Sequence, residues 1–195
     1  MSKRRTLKRP FSLDQLKSLI RVPIVNQASD FTCGVAAMLS VLYYWDKKED
    51  DYETNLAKRL KANGKDGVVS TQIKRYARSR GFKVLRKENM ALEEIEDFIR
   101  DGKPVLVLLQ AWPDSKRAAW KGKWKDGHFA VAIGSDAHNI YFMDPSTLGN
   151  YTYIPKKEFI DRWHDWDGDK QVCHLGVVIW RGRPSFDHRI VVKMG

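Results

Sequence analysis

Between Pro104 and Trp112 the chain reads PVLVLLQAW, a continuous apolar run. A run of this kind marks a central strand, and it divides the sequence into two halves of different character. Ahead of it stand segments with helical spacing. The stretch from Val35 is apolar and built from good helix formers, so a helix is expected from about Thr32 to Tyr44, stopping in the charged run DKKEDD. Leu56–Leu60 suggests a second helix, closed by Asn63-Gly64, and Ser70 can cap a third that runs through Ser79 to Gly81. FKVLRK alternates like a strand. MALEEIEDFIRDG is amphipathic, with Leu92, Ile95, Phe98 and Ile99 on one face and Gly102 as its stop. Behind the central run come HFAVAIGSD and NIYFMDP, two strand-like runs joined at Ala137-His138. KEFIDRW then reads as a short helix and QVCHLGVVIW as a last strand. Helices first and antiparallel-looking strands last predict an α+β architecture, a helical half packed against a sheet.

A chain of 195 residues suits one domain with short tails. The expected division is a basic arm with a short helix over 1–21, a domain over 22–182 and a tail over 183–195. The short helix is placed at Leu13–Ile20 behind a Ser12 cap, and RVPIVNQ is read as a strand or extended segment because Pro23 forbids a helix. No apolar run approaches the roughly 20 residues that span a bilayer, and FSLDQLKSLI is too polar for a signal-peptide core. A soluble, cytoplasmic protein without a transmembrane segment is expected.

The formal net charge is +11, and five of the first ten residues are basic. A second basic cluster, Lys116, Arg117, Lys121, Lys123 and Lys125, is interleaved with Trp120 and Trp124. Basic residues among aromatics can bind nucleic acid through phosphate neutralisation and stacking. A disordered tail plus a solvated loop is the preferred reading, since no nucleic-acid-binding motif accompanies the charge. Metals and cofactors are not expected. The two cysteines make no CxxC pair, and the five histidines make no HExxH.

Chemistry concentrates at the seam in NQASDFTCGVAAM, where Cys33 stands at the first turn of the predicted helix, followed by Gly34. A helix N-terminus offers unpaired N–H groups and the positive end of the dipole, both of which favour the nucleophilic thiolate. Gly34 leaves those amides unobstructed, so they can also donate to an oxyanion. The competing reading is a small buried hydrophobe, and this stretch alone leaves the two in balance. A thiol nucleophile needs a base and a group that orients the base. His128 opens the run HFAVAIG, and Asp144 follows sixteen residues later at the end of NIYFMDP. If those runs form a hairpin around Ser135–Asn139, the two become cross-strand neighbours. Asp144 can then fix the imidazole tautomer and support the imidazolium. Gln27, six residues before Cys33, could donate its side-chain amide to the oxyanion. Such a donor contributes roughly 3–4 kcal/mol of transition-state stabilisation. Trp112, Trp120 and Trp124 could wall a substrate cleft, with the basic loop as a specificity element. Cys173 is read as an inert buried thiol and His174 as exposed. The acids Asp161, Asp165, Asp167 and Asp169 around Trp163 and Trp166 could receive a basic substrate or pair with the basic loop, but a solvated patch is the preferred reading.

These motifs in this order resemble the C39 and C39-like group of papain-like cysteine peptidases, the bacteriocin-processing peptidases. The resemblance rests on Gln27 ahead of Cys33, CGVAAM, GHFAVAIG, MDPSTLG and the following EFIDRW, and it covers roughly Val22 to Arg181. It implies a papain-like fold with Cys33 as nucleophile, His128 as general base and acid, Asp144 as its orienter and Gln27 as oxyanion donor. It further implies a peptide or protein substrate, cleaved through a thioester acyl-enzyme. Family members often act after a double-glycine leader and are frequently fused to transporters, whereas this sequence carries no P-loop and no membrane-length apolar run. Two other functions are weighed: a papain-like acyltransferase, and a catalytically silent module that binds through its basic surface.

Overall fold

The computed structural model describes residues 19–46, 51–112, 119–191 and 193–194. Its central helix, α1 (Cys33–Trp45), buries every residue but Tyr43. A helix that apolar on all sides must be enclosed, and the rest of the fold encloses it. Ser40, fully buried, donates its hydroxyl to the Pro23 carbonyl at 2.6 Å. That bond holds the extended segment around Pro23 beside the helix, outside the sheet. Smaller helices α2 (Glu53–Arg59) and α3 (Ser70–Ser79) follow, then strand β1 (Lys83–Lys87) and helix α4 (Leu92–Arg100).

The remaining strands are β2 (Val105–Gln110), β3 (Gly127–Ser135), β4 (Asn139–Met143), β5 (Thr152–Pro155), β6 (His164–Asp167), β7 (Lys170–Cys173) and β8 (Gly176–Trp180), with helix α5 (Lys156–Arg162) between β5 and β6. Five of these and β1 form one six-stranded sheet in the order β1-β8-β2-β3-β4-β5, and every pairing is antiparallel. The run PVLVLLQAW contains the inner strand β2, which is buried from Val105 to Gln110. Helices cover the sheet. The Phe129 ring of β3 meets the start of α1 at Gly34, while Phe142 of β4 packs on Phe159 of α5 with centroids 5.5 Å apart. The α+β expectation, with helices packed on an antiparallel sheet, describes this molecule.

Three local readings are corrected. QVCHLGVVIW is two strands rather than one: the chain turns at His174 (φ 50°), so β7 pairs with β6 in a separate two-stranded ribbon and β8 joins the main sheet. Cys173 is consequently exposed, and His174 is half-buried against Trp163, ring centroids 4.8 Å apart. Ser70 is the first residue of α3 rather than its cap. Asp167, 97 residues downstream, accepts the Ser70 N–H at 2.7 Å and its hydroxyl at 2.5 Å. The acids of the ribbon are not a solvated patch either, since Asp165 and Asp167 are both buried. Asp167 also pairs with Arg86 at 2.8 Å, which fastens the ribbon to α3 and β1. The predicted helix at Leu13–Ile20 lies outside the described residues except at Leu19 and Ile20, which are not helical; the basic arm and residues 113–118 of the basic loop also lie outside them.

Candidate active site

Helix α1 begins without a side-chain cap and without an acidic residue in its first turn. Thr32, the residue before it, turns its hydroxyl back to the Ser29 carbonyl instead, at 3.1 Å. The first amides of the helix are therefore left for whatever lies at its end, and that is the Cys33 sulfur. The thiol accepts hydrogen bonds from the backbone N–H groups of Gly34 and Phe129. Gly34 also serves packing. A Cβ there would stand 3.0 Å from the Phe129 ring and 3.2 Å from Val68, so the close approach of α1 to β3 depends on its absence.

His128 is the second residue of β3, paired with Leu109 of β2 and 3% exposed. Its Nε2 lies 2.8 Å from Oδ1 of Asp144, just past the end of β4. The pairing is diagonal. The register matches Val131 with Met143 and shifts at a bulge between Ala132 and Gly134. Extended to His128, that register falls opposite a residue beyond Asp144, and the two side chains share a face and reach each other obliquely. Asp144 is further fixed by the Ser146 amide at 2.9 Å, the Ser146 hydroxyl at 2.8 Å and the Thr147 hydroxyl at 2.9 Å. The other ring nitrogen, Nδ1, is buried without a conventional hydrogen-bond partner. Cys33 is coupled to the same ring electrostatically. With Nε2 engaged by Asp144, Nδ1 is the nitrogen left to the sulfur.

The electrostatics follow from this contact. Burial alone would raise the Cys33 pKa, but hydrogen bonding and charge from His128, with the two backbone amides, outweigh it and hold the thiol below its ordinary value. Burial would lower the His128 pKa. Asp144 and Cys33 override that and raise it to about 9. Against the same cost of burial, His128 and the donors of Ser146 hold the Asp144 carboxyl well below the usual carboxylate range. Both shifts run toward a thiolate beside an imidazolium, backed by a carboxylate. Such a site can attack a carbonyl with sulfur and hand a proton to the departing group.

Cys33 lies in the wall of a cleft of about 450 Å³ that runs between the 64–68 loop and the β6–β7 ribbon. Trp112 and Trp124 line it, and the Trp112 ring lies 5.1 Å from that of His128. Trp120, expected beside them, is not among the lining residues. Its ring is covered by the Arg162 guanidinium at 4.3 Å. Lys123, expected in a solvated loop, is buried and paired with Asp126 at 2.7 Å. Gln27 sits in an adjoining hollow with Asp30, Trp112 and Leu148. Its Nε2 donates to the Ser29 carbonyl at 2.8 Å, and its Oε1 is buried without a partner. The Gln27 loop is tied to the Asp144 loop by Gln27 N–H to the Pro145 carbonyl at 3.0 Å and by Asn26 Nδ2 to the Thr147 and Pro145 carbonyls at 3.0 and 3.3 Å.

Sequence reasoning missed Asn26 and Gln110, and it placed Asp165 in a solvated acidic patch although the residue is buried. Gln110 ends β2, fully buried, and its amide is used at both ends. Nε2 donates to Asp165 Oδ1 at 2.7 Å and the His164 carbonyl at 3.1 Å, while Oε1 accepts from Lys125 and Asp126 N–H at 3.1 and 3.2 Å. One signal for the ribbon was present. Asp167-Gly168 is a hairpin dipeptide, and Gly168 takes φ 71° at the turn. Among the described residues no group of three or more potential ligands could hold a metal, and no helix is long and apolar enough to cross a membrane.

No curated protein matches the chain. Solved structures of similar fold include a Bacillus anthracis protein described as a C39-like peptidase, with TM-score 0.64 and 16% identity over 86% of this chain and 98% of that one. The peptidase domain of Streptococcus ComA, a bifunctional ABC transporter, gives 0.59 and 20%, covering 83% of this chain and 100% of that one. A double glycine motif protease from an AMS/PCAT transporter, in complex with its leader peptide, gives 0.57 and 19%, covering 84% and 94%. The Peptidase_C39 like family itself matches residues 19–170, and with that match the chain belongs to this family, as a cysteine peptidase domain.

Proposed function

We propose that the protein cleaves a peptide bond with Cys33 as nucleophile, His128 as general base and acid, and Asp144 as the group that orients and charges His128. The observation that carries this reading is the buried His128, bonded to Asp144 through Nε2 at 2.8 Å and interacting with the Cys33 thiol through its remaining side. The thiolate attacks the carbonyl carbon of the scissile bond and a tetrahedral oxyanion forms. The first free amides of α1 and the unused N–H of the Gln27 side chain are the donors at hand for that charge. Collapse of the intermediate expels the amine, which takes the Nδ1 proton from His128 and leaves a thioester on Cys33. A water molecule, deprotonated by the now neutral imidazole, hydrolyses the thioester and restores the ion pair. A neighbour of the same fold holds a leader peptide, which supports an extended peptide as the substrate of this cleft.

Alkylation with iodoacetamide near neutral pH tests the reading. Exposure favours Cys173 and burial disfavours Cys33, so faster modification of Cys33 requires an activated thiolate. Cys33 should react well ahead of Cys173, and His128→Ala should remove that lead. Slow, equal labelling of both cysteines would refute the reading.

A further inference from the structure

We propose that Asp165 is the specificity residue of the cleft and takes an arginine or lysine side chain of the substrate close to the scissile bond; this rests on the peptidase reading above. Asp165 lies in the wall of the same cleft as Cys33 and is only 8% exposed. Its Oδ1 is held by Gln110 at 2.7 Å. Among the described residues no cation pairs with it. A carboxylate withdrawn from water without a counter-ion is costly to keep charged, and burial accordingly raises its pKa. Supplying the missing cation from a substrate would return that cost as binding energy.

The surroundings are built to hold this carboxylate in place. Its Oδ2 would stand 1.6 Å from a Cβ on Gly127, so only glycine admits it beside the backbone that leads into His128. Three indoles face the same space: Trp112 and Trp166, both exposed, and Trp124, which meets the Trp166 ring at 6.3 Å. Aromatic walls around a buried acid suit a guanidinium or ammonium, which gains from ring faces as well as from the carboxylate. At the mouth the exposed charges balance, Asp30 and Asp66 against Lys65 and Lys125, and Asp126 is neutralised by Lys123, so Asp165 is the acid of the lining left over.

The test is cleavage of a degenerate synthetic peptide library by the full chain, with cut sites read by mass spectrometry on both sides of the bond. Arginine or lysine should be enriched by about tenfold over leucine at one position within about three residues of the cut, an advantage of ordinary size for a charge-assisted contact. Asp165→Asn keeps the shape and the Gln110 bond, and it should abolish the enrichment while the iodoacetamide rate of Cys33 stays unchanged. Should Asp165→Asn fail to fold, Trp166→Ala, at an exposed position, should weaken the same preference. Cleavage with no basic preference, or a preference that survives Asp165→Asn, overturns the proposal. Absence of cleavage together with an unreactive Cys33 overturns the peptidase reading, and this one with it.

Discussion

His128 and Asp144 meet at 2.8 Å across a diagonal of the β3–β4 pair, with a bulge between Ala132 and Gly134 resetting the register behind them. The carboxylate and the Cys33 sulfur together raise the imidazole pKa to about 9 against the cost of burial, while the imidazole in turn lowers the thiol pKa. Sulfur and imidazole titrate as a coupled pair.

Activity should therefore form a broad plateau. On the acid side it is lost as the thiolate takes up its proton, below the ordinary thiol range. On the alkaline side it is lost near pH 9, as the imidazolium that must protonate the leaving amine gives up its proton. Asp144→Asn removes the negative charge and should move the alkaline limb down, with kcat/KM reduced by roughly 100-fold or more. The pH profile of cleavage measures both limbs. An alkaline limb that stays put in Asp144→Asn would show that the carboxylate is not what holds the proton on His128.

The same shift fixes a stability trend. His128 has a folded pKa above its unfolded value, so its contribution is complete below about pH 6.5 and is lost as pH rises through about 9. Asp144 has a depressed pKa, and its contribution is present above the usual carboxylate range and lost on strong acidification. Urea midpoints measured for the wild type and His128→Gln at pH 6.5 and pH 9.5 should converge at the higher pH.

Gln27→Ala separates oxyanion support from thiol activation. Loss of one donor should lower kcat by roughly 100-fold or more, with KM little changed. Iodoacetamide alkylation develops no oxyanion, so its rate on Cys33 should be unaltered. Equal losses in both assays would assign Gln27 to shaping its own loop, through the side-chain bond to the Ser29 carbonyl.

Asp167→Ala should cost about 2–4 kcal/mol of stability, because it uncaps α3 and leaves the Arg86 guanidinium without its buried partner. Ser70→Ala, which removes only the hydroxyl contact, should cost about 1 kcal/mol. Urea denaturation of the two variants gives the comparison. A cost for Asp167→Ala no larger than that for Ser70→Ala would mean the ribbon is not fastened by this residue.

Gly127→Ala is predicted to be tolerated poorly. Its Cβ would fall 1.6 Å from Asp165 Oδ2, within a carboxylate that Gln110 already holds. Destabilisation of about 3 kcal/mol or more is expected, measurable by the thermal midpoint. Recovery in the double variant Gly127→Ala with Asp165→Gly would locate the strain at this contact.

What the sequence determined by itself was local. The apolar continuity of residues 105–109 required an inner strand, and the closed hydrophobic face from Val35 to Trp45 required an enclosed helix, because both patterns are burial instructions readable one segment at a time. Cys33, His128 and Asp144 could be nominated because a helix start and two strand ends have fixed places in a hairpin and its covering helix. What only the tertiary structure decided was pairing across distance. The bulge that sets His128 and Asp144 on one face as diagonal partners, the Asp167 cap supplied to Ser70 from 97 residues away, and the burial of Asp165 against Gly127 leave no local periodicity. HDWDGDK reads as a solvated acidic turn until Gln110, Arg86 and Ser70 arrive to satisfy its carboxylates. A charged side chain is buried or exposed according to partners that lie elsewhere in the chain, and only folding brings those partners to it.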